Sequence, residues 1–202
     1  MSTINQLSEL FLKFPGIGPR QAKRFVHFLA KGDKQFTTDL AKMISVVTDE
    51  IKQCSSCRRL FEKHAQEVEC SICRNINNKD DTLLMVVEKD TDFENVERTN
   101  SYNGKYFILG ENLPLMELRE RDQAILKQLF AKIQEKNIAE VILATGATTE
   151  GENNARYIKK ILEPLVQKRG LKITQLGRGL STGTELEYID TDTMQNALEG
   201  RR

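Results

Sequence analysis

The sequence predicts a multidomain α/β protein in which a helical N-terminal module and a small four-cysteine module precede a mainly parallel sheet with a C-terminal extension. Three observations carry that expectation. Apolar residues recur at helical spacing through about the first 50 positions, all four cysteines of the chain fall in two Cys-x-x-Cys pairs, and beyond them short apolar runs alternate with helical stretches. The modules are placed at residues 1–53, 54–77, 78–176 and 177–202. A chain of 202 residues is long enough for one full core and one or two small modules.

In the first module Ile4, Leu7, Leu10, Phe11 and Phe14 form one helical stripe that stops at Pro15. Pro15-Gly16-Ile17-Gly18-Pro19 follows, with two glycines where the chain can turn sharply and Pro19 suited to the first turn of a second helix. That helix turns Ala22, Phe25, Val26 and Leu29 inward and carries Arg20, Lys23, Arg24, His27 and Lys31 on its other side. A third helix, over about 37–51, repeats the apolar spacing with Leu40, Met43, Ile44, Val47 and Ile51, and is expected to pack on the first two. The whole chain has a formal charge of +1, but residues 1–35 hold six Lys/Arg against Glu9 and Asp33, a local +4. An anionic partner meets this end first.

A glycine turn opening a helix with a basic face suits a nucleic-acid backbone. Peptide N–H groups and the positive end of the helix dipole face a phosphate, and arginines add charge-assisted bonds without reading bases. Gly16, Gly18, Arg20, Lys23 and Arg24 are therefore the candidate DNA-binding residues, and the pattern resembles the helix-hairpin-helix motif. A plain helical turn with a solvated basic face has the same appearance.

Cys54-x-x-Cys57 and Cys70-x-x-Cys73 match the spacing at which two tight knuckles offer four thiolates to one Zn²⁺, and the polar stretch between them suits a loop closed by metal. One structural zinc per chain is expected, held by Cys54, Cys57, Cys70 and Cys73. The competing readings are a disulfide pair or two redox dithiols. His64 lies near enough in sequence to replace a thiol but is not needed. With no ligand position to spare, such a site holds the fold and does not activate water.

In the larger domain, strands are expected at 83–87, 106–109, 141–144 and 172–176, with helices over 90–99, 121–136 and 152–168. Sites in parallel sheets gather at the carboxyl ends of the strands, which directs attention to Glu88 and to the loop 145–152 with Glu150 and Glu152. This arrangement resembles the Toprim domain shared by topoisomerases, primases and some nucleases. Working Toprim enzymes add an Asp-x-Asp pair on a later strand to hold Mg²⁺, and no such pair follows Ala144-Thr145-Gly146. The expectation is a non-catalytic domain with no catalytic residue; the alternative is a Mg²⁺-dependent nuclease or primase-like enzyme using Glu88 with Glu150 or Glu152. Both latter residues open a helix, where carboxylates are also welcome as dipole partners. No Walker A sequence occurs. The glycine-rich tail from Gly177 through Arg178 and Gly179 either packs on the sheet or reaches a neighbouring subunit, and a short helix over 193–198 precedes Arg201-Arg202.

Residues 1–13 lack a basic start followed by an apolar run, and no segment approaches the roughly 18 apolar residues of a membrane span, so a cytoplasmic protein with no membrane partner is expected.

The order of these parts, with Phe14-Pro15-Gly16-Ile17-Gly18-Pro19-Arg20, the cysteine pairs, Val86-Val87-Glu88, Thr149-Glu150-Gly151-Glu152 and Leu186-Glu187-Tyr188, resembles the bacterial RecR family of recombination mediators across essentially the whole chain. The resemblance implies a non-enzymatic DNA-repair protein that binds single- or double-stranded DNA without regard to sequence. It implies dimers pairing into a ring-like tetramer around DNA. It also implies joint action with RecO, and in many bacteria RecF, to load RecA onto strands covered by the single-strand-binding protein, in the cytoplasm at the nucleoid. The family's basic positions fall on Arg20 and Arg24, and its zinc ligands on Cys54, Cys57, Cys70 and Cys73. Gly146-Ala147 stands where the family has Asn-Pro, and Lys89 where it has Pro.

Overall fold

The structure, a computed structural model, describes residues 1–64, 66–75, 79–110, 112–114, 116–135, 138–177 and 179–201; Arg178 and Arg202, singled out above, lie outside them. The chain divides into two compact units, Met1–Lys52 and Gln53–Arg202.

The first unit is helical. Its helix α1 (Thr3–Phe11) is capped by Ser2, whose hydroxyl accepts from the Asn5 N–H, and ends before Pro15 as its sequence requires. α2 (Pro19–Lys31) starts at Pro19, with Gly18 as its N-cap, and buries Ala22 and Val26. Phe11 joins the two by an edge-to-face contact with Phe25 at 5.5 Å between ring centres. α3 (Lys34–Glu50) begins three residues earlier than expected, because the Asp33 carboxylate caps it through the Gln35 N–H at 3.1 Å. The expected packing of its apolar stripe on α1 and α2 is not found: Leu40, Met43, Ile44 and Val47 are all exposed, and α3 buries no residue. Helical periodicity shows which face is apolar but not what covers it.

The division between the units falls within β1 (Ile51–Gln53), the strand that pairs with β2 (Leu60–Glu62) beside the first cysteine pair. A single helical turn, α4 (Ser71–Arg74), carries the second pair. The large sheet follows from β3 (Asp80–Val87), β4 (Gly104–Ile108), β5 (Glu140–Ala144) and β6 (Lys172–Gln175), in the order β4-β3-β5-β6 with every pairing parallel. The near-continuous apolar run of β3 is what a strand covered on both faces requires. Its alternate side chains separate the two layers. Leu84 and Val86 join Phe107 and Leu143 under α6 (Glu120–Glu135) and α7 (Thr149–Arg169). Met85 and Val87 join Tyr106 and Ile108 against Phe93 of α5 (Asp90–Thr99).

Val87 pairs with Ile108 on one side and Ala144 on the other, so the carboxyl ends of three strands lie level and place Glu88, Leu109 and Thr145 along one rim. α8 (Thr191–Glu199), capped by Asp190, lines a polar groove shared with Ala147 and Gly177 beyond the ends of β5 and β6. No helix among the described residues is long and apolar enough to cross a membrane.

Candidate metal centre and nucleic-acid interface

The four cysteine sulfurs lie within 4.8 Å of one another, and among the described residues this is the only group of three or more His, Cys, Asp or Glu placed to share an ion. Cys57 Sγ and Cys70 Sγ are 3.7 Å apart, close to the edge of about 3.8 Å that a tetrahedron with Zn–S bonds of about 2.3 Å has. Soft thiolates at that spacing fit a divalent, thiophilic metal. Cys54, Cys57 and Cys70 are buried, with Phe61 and Ile72 packed against them. The backbone forms both knuckles. Arg58 N donates to Cys54 O at 2.9 Å, which the left-handed φ of +67° at Arg58 allows, and Cys70 N donates to Cys54 Sγ at 3.3 Å across the two pairs. Cys54 is held well below the ordinary thiol range by hydrogen bonds from Cys57 first, then Cys70 and Cys73, while hydrogen bonds to Cys54 first, then Cys70 and Cys73, drive Cys57 far above it. A cation held by the four sulfurs would displace their protons. His64 takes no part in the cluster.

The knuckles are fastened to the large sheet. Ile108 N donates to Cys57 O at 2.9 Å, Arg58 Nε returns a bond to Ile108 O at 3.0 Å, and Arg58 Nη1 reaches Gln128 of α6 at 3.0 Å. Lys132 Nζ, also from α6, donates to Ser56 O at 2.6 Å and Ser56 Oγ at 3.1 Å. On the other side of β4, the Arg59 guanidinium lies 4.8 Å over the Phe93 ring and Leu60 N donates to Asp90 at 2.9 Å.

In the first unit the expected turn is present. Gly16 has φ +76°, a conformation that L side chains rarely adopt, and a Cβ at either Gly16 or Gly18 would meet nothing within 4 Å. Both glycines therefore border open space, so another surface can approach the backbone closely. The first turn of α2 carries no acidic residue and its N-cap offers no side-chain oxygen, which leaves the positive end of the helix dipole uncompensated by its own side chains. Arg20, Lys23, Arg24, His27 and Lys31 are all exposed on α2. The turn and the basic face thus adjoin, as the sequence reading requires.

At the rim of the sheet, Glu88 is buried and both its carboxylate oxygens are occupied. Oε2 accepts from Gly146 N at 3.1 Å and Oε1 from the Asn154 amide. Asn154 Oδ1 in turn accepts from Leu113 N at 2.9 Å, and Asn153 Nδ2 donates to Leu113 O and Pro114 O, both at 3.1 Å. Three strand-end loops are tied together by one carboxylate and two amides. Glu150 and Glu152 are exposed in the first turn of α7 and are not gathered with Glu88 into an ion-sized group. Sequence reasoning missed the two asparagines, although Asn154 lies on the stripe that continues through Ile158, Leu162 and Leu165, a polar residue at a core position. That break in the apolar pattern is a legible signal.

Comparison with known proteins gives the same outline. The Toprim domain family matches residues 82–177, and the family described as RecR, C-terminal, matches residues 179–202. Recombination protein RecR of Thermobifida fusca is 36% identical over 190 residues, covering 94% of this chain and 91% of the relative. The proteins of the same name from Chloroherpeton thalassium and Chloroflexus aggregans are 35% and 37% identical, each match covering 98% of this chain and 95% and 93% of the relatives. The chain belongs to the RecR family. Its Toprim part is the four-stranded sheet with α5, α6 and α7, and its RecR C-terminal part carries α8.

The glycine of the Thr149-Glu150-Gly151-Glu152 segment in this RecR-family chain has a packing reason. A Cβ at Gly151 would lie 2.0 Å from Gly146 O, and backbone cannot give way as a flexible side chain does. Gly151→Ala is expected to displace the loop that Glu88 holds and to cost about 1–3 kcal/mol, measured as a lower melting temperature. An unchanged melting temperature contradicts this packing.

Proposed function

We propose that this protein is a non-enzymatic, DNA-binding protein of recombinational repair. In this reading it is a clamp-like mediator that assists RecA loading together with RecO and RecF. It grips the phosphate backbone of single- or double-stranded DNA without reading sequence, through Gly16, Gly18, Arg20, Lys23 and Arg24. The functional parts are residues 1–53 for DNA, 54–77 for one structural Zn²⁺ held by Cys54, Cys57, Cys70 and Cys73, 78–176 for the Toprim domain, and 177–202 for the C-terminal segment. The chain acts as a homodimer or homotetramer in the cytoplasm, at the nucleoid.

The observation that carries the DNA reading is the open glycine turn at the uncapped start of α2, directly beside an exposed basic face. The relatives' printed name, recombination protein, supports the setting. The test is fluorescence anisotropy of labelled oligonucleotides of unrelated sequence, single- and double-stranded, over a salt series. Binding that is indifferent to sequence and falls with salt is expected; no binding in dilute buffer contradicts the proposal.

The non-enzymatic reading is supported by the engagement of both Glu88 oxygens with neutral N–H donors, which makes this carboxylate a brace for the loops. Glu88→Gln replaces one acceptor with an NH₂ that must face an N–H, so a loss of about 1–3 kcal/mol in stability is expected from thermal denaturation. Labelled DNA incubated with the protein, Mg²⁺ or Mn²⁺ and nucleotides is expected to stay unchanged. Turnover that Glu88→Gln abolishes would overturn the reading.

A further inference from the structure

If the four cysteines hold a divalent metal, as proposed above, Lys132 stands beside that centre. Lys132 lies in the last turn of α6, 59 or more positions from every cysteine, yet its ammonium lies against the first knuckle. It donates to the carbonyl of Ser56, between Cys54 and Cys57, at 2.6 Å, and to the Ser56 hydroxyl at 3.1 Å; a longer bond at 3.4 Å reaches Tyr106 O on β4. An ammonium on a flexible stem has three donors, and here all of them point at the join between the knuckle and the sheet.

Two physical consequences follow. A Zn²⁺ with four thiolates carries a net charge of about −2, and a half-buried centre of that charge is favoured by a cation placed beside it. The bond to Ser56 O also fixes the backbone that aims the sulfurs of Cys54 and Cys57, so part of the ordering that metal binding demands is already done. Burial pushes the Lys132 ammonium below the ordinary lysine range, and the nearby cysteines, Cys73 ahead of Cys57 and Cys54, pull it back up. We propose that Lys132 is the outer-sphere cation of the four-cysteine centre, a positioning residue by which a helix of the Toprim domain helps to set metal affinity.

The test uses the full chain as wild type, Lys132→Met, Lys132→Gln and Lys132→Arg, with Lys127→Met, an exposed site on the same helix, as control. Zinc affinity is read by titrating the loaded protein with a competing chelator and a chromophoric indicator, and the sulfur environment by the charge-transfer bands of the Co²⁺-loaded form. Lys132→Met is expected to weaken zinc binding about 10–100-fold and to shift the Co²⁺ bands, with Lys132→Arg and Lys127→Met close to wild type. A folded Lys132→Met with wild-type affinity and spectrum overturns the proposal. Should Lys132→Met fail to fold, Lys132→Gln decides: it retains an amide donor without charge, so weaker zinc binding than Lys132→Arg supports the proposal and equal binding defeats it. A wild-type chain that holds no zinc sinks the metal reading itself, and this inference with it, whereas zinc-binding indifferent to position 132 sinks the inference alone.

Discussion

Cys57→Ser is expected to abolish stoichiometric metal binding and to lower the melting temperature by about 8–16 °C, the shift that a loss of about 4 kcal/mol gives in a chain of this size. Serine keeps the shape of the side chain but not the soft thiolate, and three sulfurs no longer close the tetrahedron. The effect spreads because the knuckle is not a free-standing finger. The Cys57 carbonyl accepts from Ile108 N at 2.9 Å, and β4 is an outer strand of the sheet, with β3 on its other side. Loosening the knuckle unpairs that edge, withdraws Arg58 from its partners on β4 and α6, and parts Ser56 from Lys132 of α6. It also removes the cover of Ile72, which packs against both the cysteines and the α5 side of the sheet. Metal analysis and thermal denaturation measure both outcomes, with chelation of the wild type expected to reproduce the variant. A metal-free wild type that melts at its usual temperature contradicts the assignment.

The double substitution Arg20→Glu with Arg24→Glu is expected to weaken DNA binding by at least about 100-fold at low salt while leaving the fold intact. Both side chains are exposed, so no buried contact is lost and circular dichroism stays unchanged. The pair removes two positive charges and adds two negative ones, which takes residues 1–35 from +4 to zero. Arg20 lies in the first turn of α2 and Arg24 one turn further on, so both project near the place where the helix dipole already favours a phosphate. New carboxylates there oppose the same phosphate. Lys160→Glu with Lys168→Glu, two exposed changes of the same total charge on α7, serves as control and is expected to have a far smaller effect.

Much of this architecture is legible in the chain itself because each element is specified locally. The strands declare themselves by unbroken apolar runs, and the four-cysteine cluster by its spacing alone. The residues that escaped reading are those whose partners are remote in sequence. Asn154 finds Glu88 and Leu113 only when the sheet brings three loops to one rim, and Lys132 finds Ser56 across 76 positions. Neither pairing has a periodic signature. The stripe of α3 escaped in another way: its amphipathic spacing is present, but Leu40, Met43, Ile44 and Val47 lie exposed where packing on α1 and α2 was expected. For Glu88 the sequence leaves a metal-binding role open, and the hydrogen bonds from Gly146 and Asn154 show which loops it braces.

The proposed function depends on the open turn and basic face of α2 holding polynucleotide phosphates by charge. Its most direct test is the slope of log affinity against log salt concentration for one oligonucleotide, measured for wild type and the Arg20→Glu, Arg24→Glu variant. Each phosphate contact contributes about 0.9 to that slope on duplex DNA and about 0.7 on single strands, so the variant is expected to bind with a slope shallower by about 2 on duplex and about 1.4 on single strands. The same affinity and the same slope for both proteins would show that DNA, if bound at all, is held elsewhere.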